Sequence, residues 1–220
     1  TQSRSSAASD VYKRQAYKYR IYPNSEAREK LAKQFGCVRF VYNYFLNERI
    51  AHYEKTGKGL TYNQTAGMLT DLKKKLTWLK EVHSQALQAS LGDLDAAYAN
   101  FFAGRAKFPN FKNKRGKQSC RYPQGFKFQD GYTYLPKIGW IKTIFHKQLH
   151  GTPRNLTVSK TKSGKYFISV IVEEDVFPYE SVNRSVGIDL GLKDFLVTSD
   201  GHKIPCLLYT SDAADDLLCV

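Results

Sequence analysis

Residues 16–22 alternate, with Tyr17, Tyr19 and Ile21 on one side and Lys18, Arg20 and Tyr22 on the other. That is the period of a half-buried strand, closed by Pro23 and Asn24. Ser25 then reads as an N-cap, with Glu26 and Glu29 in the first turn suiting the helix dipole, and the helix is expected to run to about residue 35 and end at Gly36. A second helix carries Val38, Val41, Tyr42, Phe45, Leu46, Ile50 and Tyr53 on one apolar stripe. Residues 55–58, rich in Lys and Gly, read as a loop. Thr61 caps a third helix bearing Ala66, Leu69, Leu72 and Leu76, and a fourth starts near Ser84 and aligns Leu87, Leu91, Leu94, Tyr98 and Phe101. Strand periodicity returns at Leu156 and Val158, turns at Ser163-Gly164 and continues over 166–172. With 16–22, these strands suggest a small barrel around a helical bundle inserted after its first strand.

Charge changes what this fold is expected to meet. The 220 residues hold 34 Lys+Arg against 20 Asp+Glu, a net charge of +14, and 42% of the chain is hydrophobic. A basic chain of this kind usually meets a polyanion, and nucleic acid is the first candidate. No stretch reaches the ~20 apolar residues of a membrane span, and no signal-peptide pattern is present, so no membrane is expected as partner. With nucleic acid as the first candidate, no small-molecule substrate is expected either. Cys37, Cys120, Cys206 and Cys219 form no C-x-x-C pair, which argues against a zinc site and for buried structural thiols in a reducing cytoplasm.

The positive charge concentrates in 105–127. Arg105, Lys107, Lys112, Lys114, Arg115, Lys117, Arg121 and Lys127 alternate with Phe108, Phe111, Tyr122 and Phe126, and no Asp or Glu intervenes. Cations reach phosphates and rings offer bases a stacking face, a combination suited to single strands or RNA.

After a linker at 175–184 comes SVGIDLGLKDFLV at 185–197, an apolar strand that presents Asp189, turns at glycine and returns. Ribonuclease-H-like nucleases place their first metal-binding aspartate in this way, and Asp189 is read as a site residue because an unpaired carboxylate in a buried strand is costly. Asp194 and Asp200 are read as turn residues. Two-metal hydrolysis needs further acidic ligands, and residues downstream of Asp189 are few. The tails complicate this. Both 5–15 and 206–215 resemble translated sequencing-adapter sequence, so 1–15 and 206–220 are set apart as non-native. Asp212, Asp215 and Asp216 are therefore given no metal role, and the nuclease centre is expected to be incomplete and inactive in this chain alone.

Six blocks resemble, in order, the TnpB/OrfB family encoded by bacterial insertion sequences, which are compact relatives of type V CRISPR nucleases. They are AYKYRIYP at 16–23, GCVRFVYNYFL at 36–46, FPNFKNKRG at 108–116, LPKIG at 135–139, SGKYF at 163–167 and VGIDLG at 186–191. The second lies in a region of that family labelled helix-turn-helix. The resemblance implies an α+β chain: an oligonucleotide-binding-like, WED-type barrel with a helical insertion, then the first hairpin of a ribonuclease-H-like RuvC domain. The implied divisions are 16–35, 36–104, 105–180 and 181–205. It also implies an RNA-guided DNA endonuclease of the bacterial cytoplasm, with guide RNA and target DNA as partners and Mg2+ as cofactor. Asp189 would be the catalytic and metal-binding carboxylate. The expected nucleic-acid contacts are Lys18, Arg20, Arg39, Tyr42, Asn43, Lys107, Phe108, Lys112, Lys114, Arg115, Lys117 and Arg121. The alternative reading is a stand-alone nucleic-acid-binding module. An actin-like phosphate loop is set aside, because Leu192-Lys193 follows the glycine where Thr or Ser would stand.

Overall fold

The computed structural model describes residues 12–116, 118–175, 185–191 and 194–205. The chain divides into two compact units, Thr1–Val176 and Phe177–Val220.

The first unit is α+β. Strand β1 (Tyr12–Tyr22) is followed by helices α1 (Ser25–Thr56), α2 (Tyr62–Lys75) and α3 (Ser84–Phe102), with a 3-10 turn at Thr77–Lys80 between the last two. Six strands follow: β2 (Gln118–Tyr122), β3 (Lys127–Gln129), β4 (Tyr132–Leu135), β5 (Gly139–Ile144), β6 (Thr152–Lys160) and β7 (Tyr166–Asp175). They pair antiparallel in the order β2-β6-β7-β1-β5-β4-β3. The sheet curls as a half-barrel. Its ladder stays open among the described residues, with β2 and β3 at its edges, so the small barrel suggested by the sequence is seen as a half-barrel.

Alternation along β1 turns Tyr19 and Ile21 into the core, where they are fully buried beside Ile168, Val170, Leu156 and Val158. The same cluster takes in Leu31, Phe45, Leu87 and Leu94 from the helices, so sheet and helices share one core. Some of the polar groups inside it are paired, Ser90 Oγ donating to the Val38 carbonyl at 2.9 Å and the Thr133 and Thr143 hydroxyls meeting at 2.8 Å, whereas Gln34 Nε2 is buried without a partner among the described residues. Cys37 and Cys120 are buried as expected, and burial is the main force pushing their thiols up to about 11 and about 12. Cys206 and Cys219 lie outside the described residues.

Three boundaries differ from the sequence reading. β1 begins at Tyr12, not at residue 16; the polar stretch 12–15 has no apolar alternation to announce it, yet pairs with 172–175 and is tied by Arg14 to Glu173 at 2.8 Å. The cap of α1 is Asn24, whose Oδ1 accepts from the Ala27 amide at 2.8 Å, and Ser25 is already helical. The helix also does not end at Gly36. It runs on to Gly57, which adopts φ 66° as a left-handed cap. Leu31, Phe35, Val38, Val41, Tyr42 and Phe45 form one continuous buried stripe across Gly36. A helical glycine costs about 1 kcal/mol relative to alanine, while burial of each such side chain stabilises by roughly 1.5–3 kcal/mol. Packing therefore overrides the local break. The other helix starts are as read: Thr61 forms a capping box with Gln64, and α3 begins at Ser84.

The second unit contributes strands β8 (Ile188–Asp189), β9 (Asp194–Thr198) and β10 (Lys203–Pro205), antiparallel in the order β10-β9-β8. The strand–return hairpin expected around Asp189 is thus present. Asp194 opens β9 instead of sitting in the turn, and Asp200 is in a turn. Residues 176–184, most of the predicted linker, lie outside the described residues, as do Leu192 and Lys193.

A Cβ placed on Gly36 meets nothing within 4 Å. Gly36→Ala should therefore raise the unfolding free energy by about 0.5–1 kcal/mol in a denaturant titration. A helix that stopped at Gly36 with a left-handed residue would give the opposite sign.

Candidate nucleic-acid interface

The acid-free run is not a loose loop where it crosses α1. Asn43 grips the backbone of Lys112 from both sides: its Nδ2 donates to the Lys112 carbonyl and its Oδ1 accepts from the Lys112 amide, each at 2.8 Å. The Lys112 ammonium lies 3.7 Å from the centre of the Tyr42 ring. Desolvation there lowers the pKa of Lys112, opposed by the charge of Asp93, and burial raises that of Tyr42. One turn back along α1, Arg39 Nη1 donates to Gln118 Oε1 at 2.7 Å. The Gln118 amide in turn donates to the carbonyls of Lys114 and Gly116 at 2.9 and 3.1 Å, and Asn113 Oδ1 accepts from the Gly116 amide at 2.6 Å.

These bonds fix a turn that holds Lys114 and Arg115 out in solvent, where neither makes an ion pair among the described residues. Between this turn and α1 lies a cleft of about 400 Å³, lined by Phe35, Val38, Arg39, Phe111, Lys112 and Gln118 among others. Phe111 is half exposed at its mouth. Arg39, Tyr42, Asn43, Lys112, Lys114 and Arg115, predicted from two separate segments, thus come together.

The remaining predicted residues are placed differently. Lys18 and Arg20 occupy the outward face of β1. The Lys18 ammonium is 4.7 Å from the Phe167 ring centre, and the Arg20 guanidinium lies 5.0 and 5.2 Å from those of Phe167 and Tyr22. Arg121 is tied to Asp93 of α3 at 2.6 Å and to the Ala89 carbonyl at 3.2 Å. The run contains no acid in sequence, but the fold brings one to it. Lys107 is exposed, and Phe108 stands edge-on to Tyr98 and Phe101. Lys117 lies outside the described residues. Gln118, which organises the turn, was missed, since a lone Gln after a basic run carries no sequence signal.

Asp189 sits on β8 opposite Val197. Its neighbours Ile188 and Leu190 are 58% and 68% exposed, so the buried apolar strand inferred from the sequence is a solvent-facing one here. Among the described residues, no three His, Cys, Asp or Glu side chains stand together as a metal cage.

A turn pinned by side-chain hydrogen bonds that holds exposed cations and a half-exposed ring beside a helix, on a chain of +14, is a surface suited to a polyanion. A sequence model of a helix-turn-helix domain matches residues 13–58, which fold here as β1, the unbroken α1 and the turn at Gly57. A Streptomyces pristinaespiralis protein named as a candidate RNA-guided DNA endonuclease is 35% identical over 201 residues, covering 87% of this chain and 49% of that one. The similarly named InsQ of Escherichia coli K12 is 36% identical over 192 residues, 85% of this chain and 48% of its own length. The virulence protein VsdF of Salmonella dublin is 40% identical over 113 residues, 46% of this chain and 95% of that protein. The chain belongs to the TnpB/OrfB family of insertion-sequence proteins. It spans about half the length of the two endonuclease-named relatives.

Asn43→Ala removes both bonds to Lys112. It should lower stability by about 1 kcal/mol in denaturant and speed proteolysis within 112–116, read by mass mapping of the first cuts.

Proposed function

We propose that this chain binds guide RNA and target DNA as the front portion of an RNA-guided DNA endonuclease, with the cleft between α1 and the 111–118 turn as its principal phosphate-binding surface. The observation that carries this reading is the Asn43–Lys112 clamp beside the turn that holds Lys114 and Arg115 in solvent, without ion pairs among the described residues. Family membership supports it, as do the names of the two half-length-matched relatives. On this reading the curled sheet is the WED-type oligonucleotide-binding module, and β8–β9 is the opening hairpin of a RuvC-like domain. These partners place the protein's action in the bacterial cytoplasm; no helix among the described residues is long and apolar enough to cross a membrane.

Asp189 is assigned as the first catalytic carboxylate and a Mg2+ ligand. It offers one oxygen-donor side chain, whereas Mg2+ at phosphodiesters is held by several oxygens from carboxylates, waters and substrate. With no grouped acidic ligands among the described residues, these residues do not fit the ion by themselves, and the cleavage chemistry is not built from them.

The test is RNA binding by the full chain across a salt series. Each lost phosphate contact on a single strand flattens the log–log salt slope by about 0.7. Lys114→Gln with Arg115→Gln should therefore weaken binding and flatten the slope by about 1.4, while Asp189→Ala leaves affinity unchanged. Identical slopes for wild type and the Lys114/Arg115 variant would remove the turn from the interface.

A further inference from the structure

The outward face of β1, β5, β4 and β3 carries a pattern that neither the basic run nor the cleft accounts for. Register places Tyr22 opposite Lys142 and Lys142 opposite Tyr132, a ring–cation–ring row across three strands. The next row sets Trp140 opposite Tyr134 and Tyr134 opposite Lys127. Arg20 and Ile144 are paired beside them. Tyr22, Trp140 and Tyr132 are 50%, 48% and 45% exposed, and the Tyr134 and Trp140 rings meet at 5.4 Å. The register is locked from the other side: Ile21, Ile141, Thr143, Thr133 and Leu135 are all buried. A slip of one residue would bury the cations and expose the core.

We propose that this face is a stacking platform for unpaired bases of single-stranded RNA, a second contact surface that rests on the RNA-binding reading above. Large aromatic rings left half in water are unusual unless something covers them. Here they alternate with Arg20, Lys127 and Lys142, and no Asp or Glu occupies an outward position on these four strands. That charge matches a phosphate backbone and repels a second copy of a +14 chain. Rings flush with a sheet can stack only on bases whose faces are free, which a duplex does not offer.

The chain has two tryptophans, so Trp78→Phe leaves Trp140 as the sole indole reporter. A labelled uridine homopolymer of about 12 nucleotides, titrated into that full-length variant, should quench Trp140 with the same midpoint as the anisotropy change. Tyr22→Ser with Trp140→Ser should weaken binding about tenfold or more with the salt slope unchanged. Should that pair melt early, the exposed Lys142→Gln alone is expected to flatten the slope by about 0.7. Four results would overturn the platform. One is RNA binding that still depends on Lys114 and Arg115 but ignores Tyr22, Trp140 and Lys142; this leaves the function proposed above standing. A duplex of equal length that is equally sensitive to Tyr22→Ser/Trp140→Ser is another. A third is a sedimenting dimer abolished by that pair without change in RNA affinity. The last is a wild-type chain that binds no RNA at low salt, which removes both readings together.

Discussion

The pairing of β1 with β7 is the constraint on which the first unit depends. From Tyr12 with Asp175 to Ile21 with Tyr166, the opening strand lies along the last strand of the sheet, and its C-terminal end is shared with β5. That position makes β1 an interior strand although it is encoded first. Its inward residues, Tyr19 and Ile21, form the middle of the core, and the Tyr19 hydroxyl donates to the Lys147 carbonyl at 2.9 Å. The same register fixes which side Lys18, Arg20 and Tyr22 present to solvent. α1 then leaves directly through Pro23 and the Asn24 cap, so the helices hang from a strand held on both flanks.

Two cationic surfaces are built on this frame by different means. On the helical side, polar side chains do the shaping: Asn43, Gln118 and Asn113 satisfy the backbone of a short turn, so the cations at its tip stay available. On the sheet side the shaping is done by strand register alone, which spaces rings and cations without dedicated hydrogen bonds. Arg121 and Arg49 show what a committed cation looks like in this fold. Arg121 is paired with Asp93, and Arg49 is buried against Asp95 at 2.9 Å. The contrast separates cations that hold the structure together from those left facing water.

Much of this was legible in the residues. Alternation over 16–22 and at Leu156 and Val158 placed strands correctly, and Thr61 announced the start of α2, because both signals are local. What failed was non-local. Gly36 reads as a stop only if the stripes on either side are taken as separate, whereas they line one core. Residues 12–15 have no hydrophobic signature because their pairing is made by backbone bonds and by Arg14 with Glu173. Asp93 lies far in sequence from the basic run that it partly neutralises. The apolar string around Asp189 spoke for burial, but in these three short strands Ile188 and Leu190 face water. Of the row formed by Tyr22, Lys142 and Tyr132, only Tyr22 lay on a strand read from the sequence; the short strands β4 and β5 were not anticipated. The row emerged only when the register set the strands side by side.

The separation of β1 from β7 also sets an order of events during synthesis. Ile21 leaves the ribosome well over a hundred residues before its partner Tyr166. At bacterial-to-eukaryotic elongation speeds that is a wait on the order of ten seconds. Helices complete themselves locally in microseconds, so α1, α2 and α3 can form while β1 still exposes two unpaired edges. Closing a sheet around so distant a pair is slow, as loop closure must precede any gain from contacts. The nascent chain therefore passes through a stage in which Tyr19 and Ile21 lie on an open edge, the species most prone to aggregate or to engage a chaperone.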